Sequence, residues 1–137
     1  MQNKELSKDY IKRAEIRLKA IEVLLAHQSY ADVVREAQEV VELALKAMLR
    51  QSGIEPPRIH DVSAILLAEK ERIPSTTAVI ERLAKISKSL RRDRELAFYG
   101  SEDLTPSQFY GEDDAKTAFA DAQFTVSEVR KVIPADA

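Results

Sequence analysis

SYADVVREAQEVVELALKAMLRQSG, residues 29–53, is the stretch that decides the fold of this chain. Ser29 is a suitable helix cap, Asp32 places an acid in the first turn, and Gly53 is a typical stop signal. Between them, apolar residues cover most of the helix circumference: Val33, Val34, Ala37, Val40, Val41, Leu43, Ala44, Leu45, Ala47 and Met48. Such a helix lies in the middle of a bundle, or in a bundle and a dimer interface together.

The segments on either side also predict helices, and we find no strand pattern among them. The proline-containing loop GIEPPRIHD follows Gln51, and a short helix is expected from His60 or Asp61 to about Glu71. The long helices are expected at residues 4–27, at 29–51, at about 76–99 after a Ser75 cap, and from Glu112 onward, with an irregular segment at 100–111. We therefore expect an all-α, up-and-down bundle of four long helices and one short one.

Length and composition narrow the class of protein. The 137 residues are expected to form one domain, residues 1–137, and the 45% hydrophobic and 32% charged content is typical of a globular chain rather than a disordered one. Cysteine is absent, which excludes disulfides and thiolate metal sites and favours the cytoplasm. The start, MQNKELSKDY, lacks the apolar core of a signal peptide, and no run approaches the roughly 20 apolar residues of a membrane span. With a net charge of −2, any anion-binding surface must be local.

The fourth helix contains the main departure from a core pattern, in KSLRRDRELAFYG, residues 88–100. Its inward stripe reads Val79, Leu83, Ile86 and Leu90, and helical periodicity places the next members near 93 or 94 and at Ala97. Positions 93 and 94 are Asp and Arg, and Arg91 shares a face with Arg94. Charges at such positions need partners or a wet cleft, because burying an unpaired ion costs several kcal/mol.

Two interpretations of this segment remain open. A guanidinium beside a tyrosine can form a fork for phosphate or carboxylate, with Tyr99 offering a hydroxyl or a stacking face. Alternatively, the arginines complement the dipole at the helix C-terminus, Arg91 pairs with Glu95, and Tyr99 only closes the helix end.

Two further polar patterns carry weaker signals. The adjacent His60 and Asp61 could ligate a metal, but capping by Asp61 is favoured because no other ligands are suitably spaced; His60 could still face the arginine cleft. A polar strip on the second helix consists of Arg35, Glu39, Glu42 and Lys46, where a Glu42–Lys46 salt bridge is the default and an interface the alternative. Glycine-rich phosphate loops and nucleophile elbows are absent.

The segment SYADVVREAQEVVELALKAMLRQSGIEPPRIHDV, residues 29–62, resembles the signature of HEPN domains. The matching positions are Gln38, Glu42, Leu45 and Lys46, followed by His60 and Asp61. RRDRELAFYG and QFYGEDDAKTAFADA resemble the C-terminal half of the same family. The resemblance implies a helical bundle that usually forms a homodimer, with the sites of both subunits at the interface. It also implies a partner, since many prokaryotic members form a toxin–antitoxin pair with a minimal nucleotidyltransferase.

Catalytic members of that family are metal-independent ribonucleases carrying Arg, four to six residues, then His. Here Arg94 followed by four residues reaches Tyr99, and a tyrosine with its ordinary pKa of about 10 is a poor base at neutral pH. We therefore expect that this chain does not cleave RNA. We expect it to bind the phosphate of a nucleotide or RNA, without metal or cofactor, through Arg91, Asp93, Arg94, Tyr99 and His60. One alternative is a ribonuclease with a degenerate motif, for which Arg94 and Tyr99 are the candidate catalytic residues, or in which His60 supplies the missing chemistry. The other is a purely structural dimerisation module.

Overall fold

The computed structural model describes the backbone of residues 2–99 and 105–134 and the side chains of residues 3–90 and 105–134. Within these ranges all regular elements are helical. They are α1 (Gln2–Ala26), α2 (Tyr30–Gln51), α3 (Ser63–Ala68), a 3-10 turn (Lys70–Arg72), α4 (Thr77–Tyr99), α5 (Pro106–Phe109) and α6 (Glu112–Val132). The predicted all-α class is confirmed.

Helix α2 lies at the centre of the bundle, in contact with α1, α4 and α6. It is enclosed because apolar residues occupy most of its circumference, so that each neighbouring helix finds an apolar surface to cover. Its buried side chains are Ala31, Val33, Val34, Ala37, Gln38, Val40, Val41, Ala44, Leu45, Ala47, Met48 and Leu49. The prediction that this helix occupies the middle of a bundle is confirmed.

The helices around α2 contribute stripes at helical spacing. In α4, Leu83, Ile86 and Leu90 are buried as predicted, and Val79 is half-buried. In α6 the buried positions are mostly small: Ala115, Ala118, Ala122, Thr125, Val126 and Val129. Small side chains allow α6 to lie close against α2. None of the helices in the described ranges is both long and apolar enough to cross a membrane.

The connection between α1 and α2 is short and tightly bonded. Only residues 27–29 separate the helices. The amide of Ser29 donates to the carbonyl of Leu24 (2.9 Å), and Gln28 adopts a left-handed backbone conformation with φ 60°. At the other end of α2, Gly53 has φ 76°, a conformation that favours glycine, so the predicted stop is confirmed.

Several predicted helix ends were wrong. The short helix begins at Ser63 rather than at His60 or Asp61, and it ends at Ala68 before the separate 3-10 turn. The hydroxyl that accepts from the start of α4 belongs to Thr76, which bonds the amide of Val79 (3.2 Å), rather than to Ser75. The segment predicted to be irregular contains α5, because Thr105 and Gln108 form a reciprocal capping box and Pro106 occupies the first turn.

Leu45→Ala should destabilise the protein by about 2–5 kcal/mol, since Leu45 is fully buried in α2 and its truncation leaves a cavity at the centre of the bundle. Val23→Ala is the matched control, because Val23 of α1 is 60% exposed and its loss should change the free energy of unfolding by no more than about 0.5 kcal/mol. Urea denaturation followed by circular dichroism measures both. Equal effects of the two substitutions would contradict the central position of α2.

Candidate functional site

A strip of polar residues follows one side of α2 at intervals of three or four positions. Its members are Arg35, Gln38, Glu39, Glu42 and Lys46. Gln38 is buried and the other four are partly exposed. Charged groups that are only partly hydrated require partners nearby, so the hydrogen bonds and salt bridges of this strip identify which side chains stabilise its charges.

Glu42 is the centre of a hydrogen-bond network on this strip. Its Oε2 accepts from Nζ of Lys46 (3.0 Å), which confirms the predicted salt bridge. Its Oε1 lies 2.6 Å from Nδ1 of His60 and accepts from Nε2 of Gln38 (3.3 Å). The Glu42 side chain is 16% exposed, whereas His60 is 39% exposed. The carboxylate is therefore largely enclosed by its donors, while the imidazole remains open to solvent.

The network changes the acidity of Glu42. Burial by itself raises the pKa of this carboxyl, but the hydrogen bonds from His60 and Lys46, together with their charges, outweigh it and hold the pKa below the ordinary value of 4.5. Glu42 is therefore ionised at neutral pH, and its negative charge keeps His60 and Lys46 in place.

Asp61 makes an equivalent attachment to a different helix. Its Oδ1 accepts from the amide of Ser63 (2.9 Å) and from the hydroxyl of Ser87 in α4 (3.2 Å). The same hydroxyl accepts from the amide of Val62 (3.1 Å). Burial raises the pKa of Asp61, but these hydrogen bonds and the nearby Lys88 charge hold it below 3.8. Asp61 thus bonds the first residue of α3, although Val62 occupies the cap position.

The link to Ser87 was missed by the sequence analysis, although a signal existed. Ser87 is buried, with 4% exposure, between the apolar positions Leu83 and Leu90 of the α4 stripe. A hydroxyl at such a position requires a polar partner, and the partner here comes from the loop before α3.

His60 and Asp61 bond different partners, which argues against a metal site formed by this adjacent pair. His60 bonds Glu42 of α2, whereas Asp61 bonds Ser87 of α4. Among the described residues, no three His, Asp or Glu side chains converge as a metal site. The adjacent pair therefore holds the loop between two helices instead of presenting two ligands to one ion.

The remaining predicted site residues belong to the last turns of α4. Arg91, Asp93, Arg94 and Tyr99 fall within the bounds of that helix, but their side chains lie outside the described residues. Helical periodicity predicts that positions 91 and 94, which follow Ser87 at intervals of four and three, share its side of the helix. A cavity lined by both Leu90 and Val34 places the part of α4 around Leu90 near the beginning of α2. Whether His60 joins the arginines stays a prediction.

We define the polar face as the α2 strip together with the residues of the loop and of α4 that are bonded or close to one another. It comprises Arg35, Gln38, Glu39, Glu42, Lys46, His60, Asp61, Ser87 and Lys88. The face combines three cations and three acids with a partly exposed imidazole, so its cations have acidic neighbours and His60 offers the accessible nitrogen.

A second polar cluster, between α4 and α6, has the opposite character. The guanidinium of Arg82 stacks on the ring of Phe124, with 3.7 Å to the ring centroid, and lies near Asp121. Burial raises the pKa of Asp121, and Arg82 offsets this only in part. Asp114 and Asp121 both line the adjoining cavity of about 150 Å³. Two carboxylates repel phosphate, so the described lining of this cavity does not suit a phosphate-bearing ligand.

Glu42→Gln should lower the stability of the protein at neutral pH, because an amide cannot replace the carboxylate between His60 and Lys46. The folded-state pKa of Glu42 is lowered, so its contribution is present above the unfolded-state value and is lost as the pH falls. The difference between the variant and the original protein should therefore shrink below pH 4.5. Urea denaturation at pH values on both sides of that value measures the effect.

Glu81→Gln is the control for this experiment, since Glu81 is an exposed residue of α4. A stability difference for Glu42→Gln that stays constant across the pH range, or that matches the control, would contradict the assigned role of the network.

Comparisons with known proteins agree with this architecture. A family model described as the HEPN domain matches residues 7–132. A solved structure of an archaeal HEPN homologue superimposes with a TM-score of 0.70 and 24% sequence identity, covering 93% of this chain and 98% of that one. At that identity the likeness shows the fold alone. A comparison with curated proteins gave no match. The family model spans most of the helical bundle, and the chain therefore belongs to the HEPN domain family.

Proposed function

We propose that this HEPN protein is a homodimer that binds a phosphate group of a nucleotide or RNA at the polar face. We further propose that it is the partner of a minimal nucleotidyltransferase in a toxin–antitoxin pair. The ligand part of the proposal is supported by the contacts of the polar face, and the partner part by membership of the family. Co-expression with such an enzyme tests the partner part, and separate elution of the two proteins would contradict it.

The observation that carries the ligand proposal is the contact of His60 with Glu42. The carboxylate bonds Nδ1 and thereby fixes the ring, while the imidazole remains 39% exposed. When protonated, this fixed and accessible imidazole beside Lys46 offers a charged contact to an anion without reorganisation on binding.

We assign the main phosphate contacts to Arg91 and Arg94. Their positions in α4 follow Ser87 along one side of the helix, and Ser87 bonds Asp61, the neighbour of His60. Guanidinium groups match phosphate oxygens in pairs and keep their charge at all physiological pH values. Asp93 would orient a guanidinium, and Tyr99 would stack on a base or donate its hydroxyl.

The dimer interface is proposed to include the loop that carries His60. Ile59, the preceding residue, is 59% exposed although it is large and apolar. An exposed apolar side chain beside a partly buried charge network is typical of the boundary between the core and the rim of an interface. Two copies of the polar face would then meet near one twofold axis.

A second candidate function, the metal-independent ribonuclease, is favoured by the same histidine. His60 is a half-exposed imidazole bonded to a carboxylate, which is the arrangement of a general base. Incubation with a mixed RNA pool in EDTA distinguishes the two functions. Intact RNA with the original protein, Arg94→Ala and Tyr99→Phe favours binding without cleavage, whereas cleavage that is lost in Arg94→Ala favours the ribonuclease.

Arg94→Ala should weaken binding of RNA or nucleotide by roughly tenfold or more, because a hydrogen bond between charged groups contributes about 1.5–3 kcal/mol. Arg13→Ala is the control, since Arg13 of α1 is 48% exposed and lies 3.9 Å from Asp9, away from the polar face. Isothermal titration calorimetry measures both variants. Equal affinities in the two variants would remove Arg94 from the site, and an original protein that binds neither ligand would contradict the ligand proposal.

Ile59→Glu should convert a dimer into a monomer, because it places a charge in the proposed interface. Ile16→Glu is the matched control, as Ile16 of α1 is 57% exposed and lies outside the proposed interface. Sedimentation equilibrium over a range of concentrations gives the oligomeric state of each protein. A monomeric original protein would contradict the homodimer, and a dimer that survives Ile59→Glu would place the interface elsewhere.

A further inference from the structure

The permanent charges among the described residues of the polar face cancel, and His60 is the remaining group that can carry a charge. Its acids are Glu39, Glu42 and Asp61, and its permanently basic residues are Arg35, Lys46 and Lys88. Next to the face, Arg35 also lies 4.0 Å from Glu36, whose charge is matched by Arg17. Three negative and three positive charges sum to zero, so the protonation state of His60 decides whether these groups carry a net charge of zero or +1. Histidine is also the only side-chain type among them whose ordinary charge change falls between pH 5 and 8.

The contact with Glu42 determines what the other nitrogen of His60 can do. An ionised carboxylate only accepts hydrogen bonds, so Nδ1, at 2.6 Å from Oε1, must carry a hydrogen in either protonation state. In the neutral ring, Nε2 is then an acceptor, which repels a phosphate oxygen. In the protonated ring, Nε2 becomes a donor, which attracts one. Protonation thus changes both the charge and the hydrogen-bonding role of the exposed side of the ring.

We infer that His60 gates the polar face, which binds a phosphate-bearing ligand tightly when the imidazole is protonated and weakly when it is neutral. The inference rests on the proposed function, and it adds regulation by protonation of one side chain. The element that makes the gate work is Glu42, because a ring without this fixed acceptor could turn or change tautomer and present a donor at any pH.

The described groups around His60 are held by other partners and do not take over the role of the histidine. On α2, Gln38 and Lys46 both bond the carboxylate of Glu42. On its own loop, Asp61 is bonded to Ser63 and Ser87. On α4, the positive charge of Lys88 helps to lower the pKa of Asp61. Glu42 and Asp61 both have lowered pKa values, so neither gains a proton in the range where histidines titrate.

A phosphodiester probe tests the inference without a titrating ligand. We choose a short 3′-tetramethylrhodamine-labelled oligouridylate without terminal phosphate, because this dye keeps its charge over the pH range used and the diester groups keep one charge each, where a terminal phosphate would titrate with a pKa of about 6. Fluorescence anisotropy should show affinity falling about tenfold between about pH 5.5 and pH 8, the loss expected for one charge-assisted hydrogen bond. His60→Asn should bind at all these pH values with the weaker affinity.

His27→Asn is the matched control, because His27 is the only other histidine and lies in the link after α1, where it is exposed. It should retain the full pH dependence. Calorimetry in two buffers of different ionisation enthalpy gives a second measure on the original protein: binding near neutral pH should take up protons, and this uptake should vanish in His60→Asn.

The outcomes separate the inference from the function on which it rests. RNA binding that is independent of pH, or whose pH dependence and proton uptake survive His60→Asn, overturns the gate and leaves phosphate binding intact. The absence of RNA and nucleotide binding at every pH overturns both proposals. Loss of the dependence in His60→Asn but not in His27→Asn establishes the gate.

Discussion

The burial of α2 is the constraint on which the rest of this structure depends. A helix that is apolar over most of its circumference is stable only when other helices cover it, and α1, α4 and α6 do so. Covering it confines much of the polarity of α2 to one strip. Along that strip Gln38 and Lys46 both donate to Glu42, because hydration alone cannot satisfy partly buried groups. The fold therefore concentrates charge at one face as a consequence of how it builds its core.

The loop between α2 and α3 joins that face to α4. Two adjacent residues attach to two different helices, His60 to Glu42 and Asp61 to Ser87. Each attachment uses an ionised carboxylate, which makes a stronger hydrogen bond than a neutral acceptor. The loop thus has a fixed course. The position of the imidazole relative to α4 is determined by two hydrogen bonds, one donated by His60 and one accepted by Asp61, rather than by packing alone.

The main features of the fold could be predicted from the sequence, because apolar periodicity reports directly on which side of a helix is buried. The positions of Leu83, Ile86 and Leu90 followed from that rule, as did the enclosure of α2. Helix ends were less predictable, since Ser75 and Thr76 are chemically equivalent caps and only the backbone decides between them. The His60–Glu42 and Asp61–Ser87 bonds join residues distant in the chain, which periodicity does not report. Ser87 in an apolar stripe indicated a missing partner but could not name it.

The link between α1 and α2 has a consequence for how the protein folds. Since residues 27–29 alone separate these helices, bringing them together closes a very small loop and loses little chain entropy. The contacts between α2 and α6 instead join segments on opposite sides of a long intervening stretch of chain, and closing that loop is entropically more demanding. Loop closure alone therefore favours formation of the α1–α2 hairpin before α6 docks onto it. A nascent chain emerging from the ribosome would accordingly carry an exposed apolar side of α2 until its last helix is synthesised.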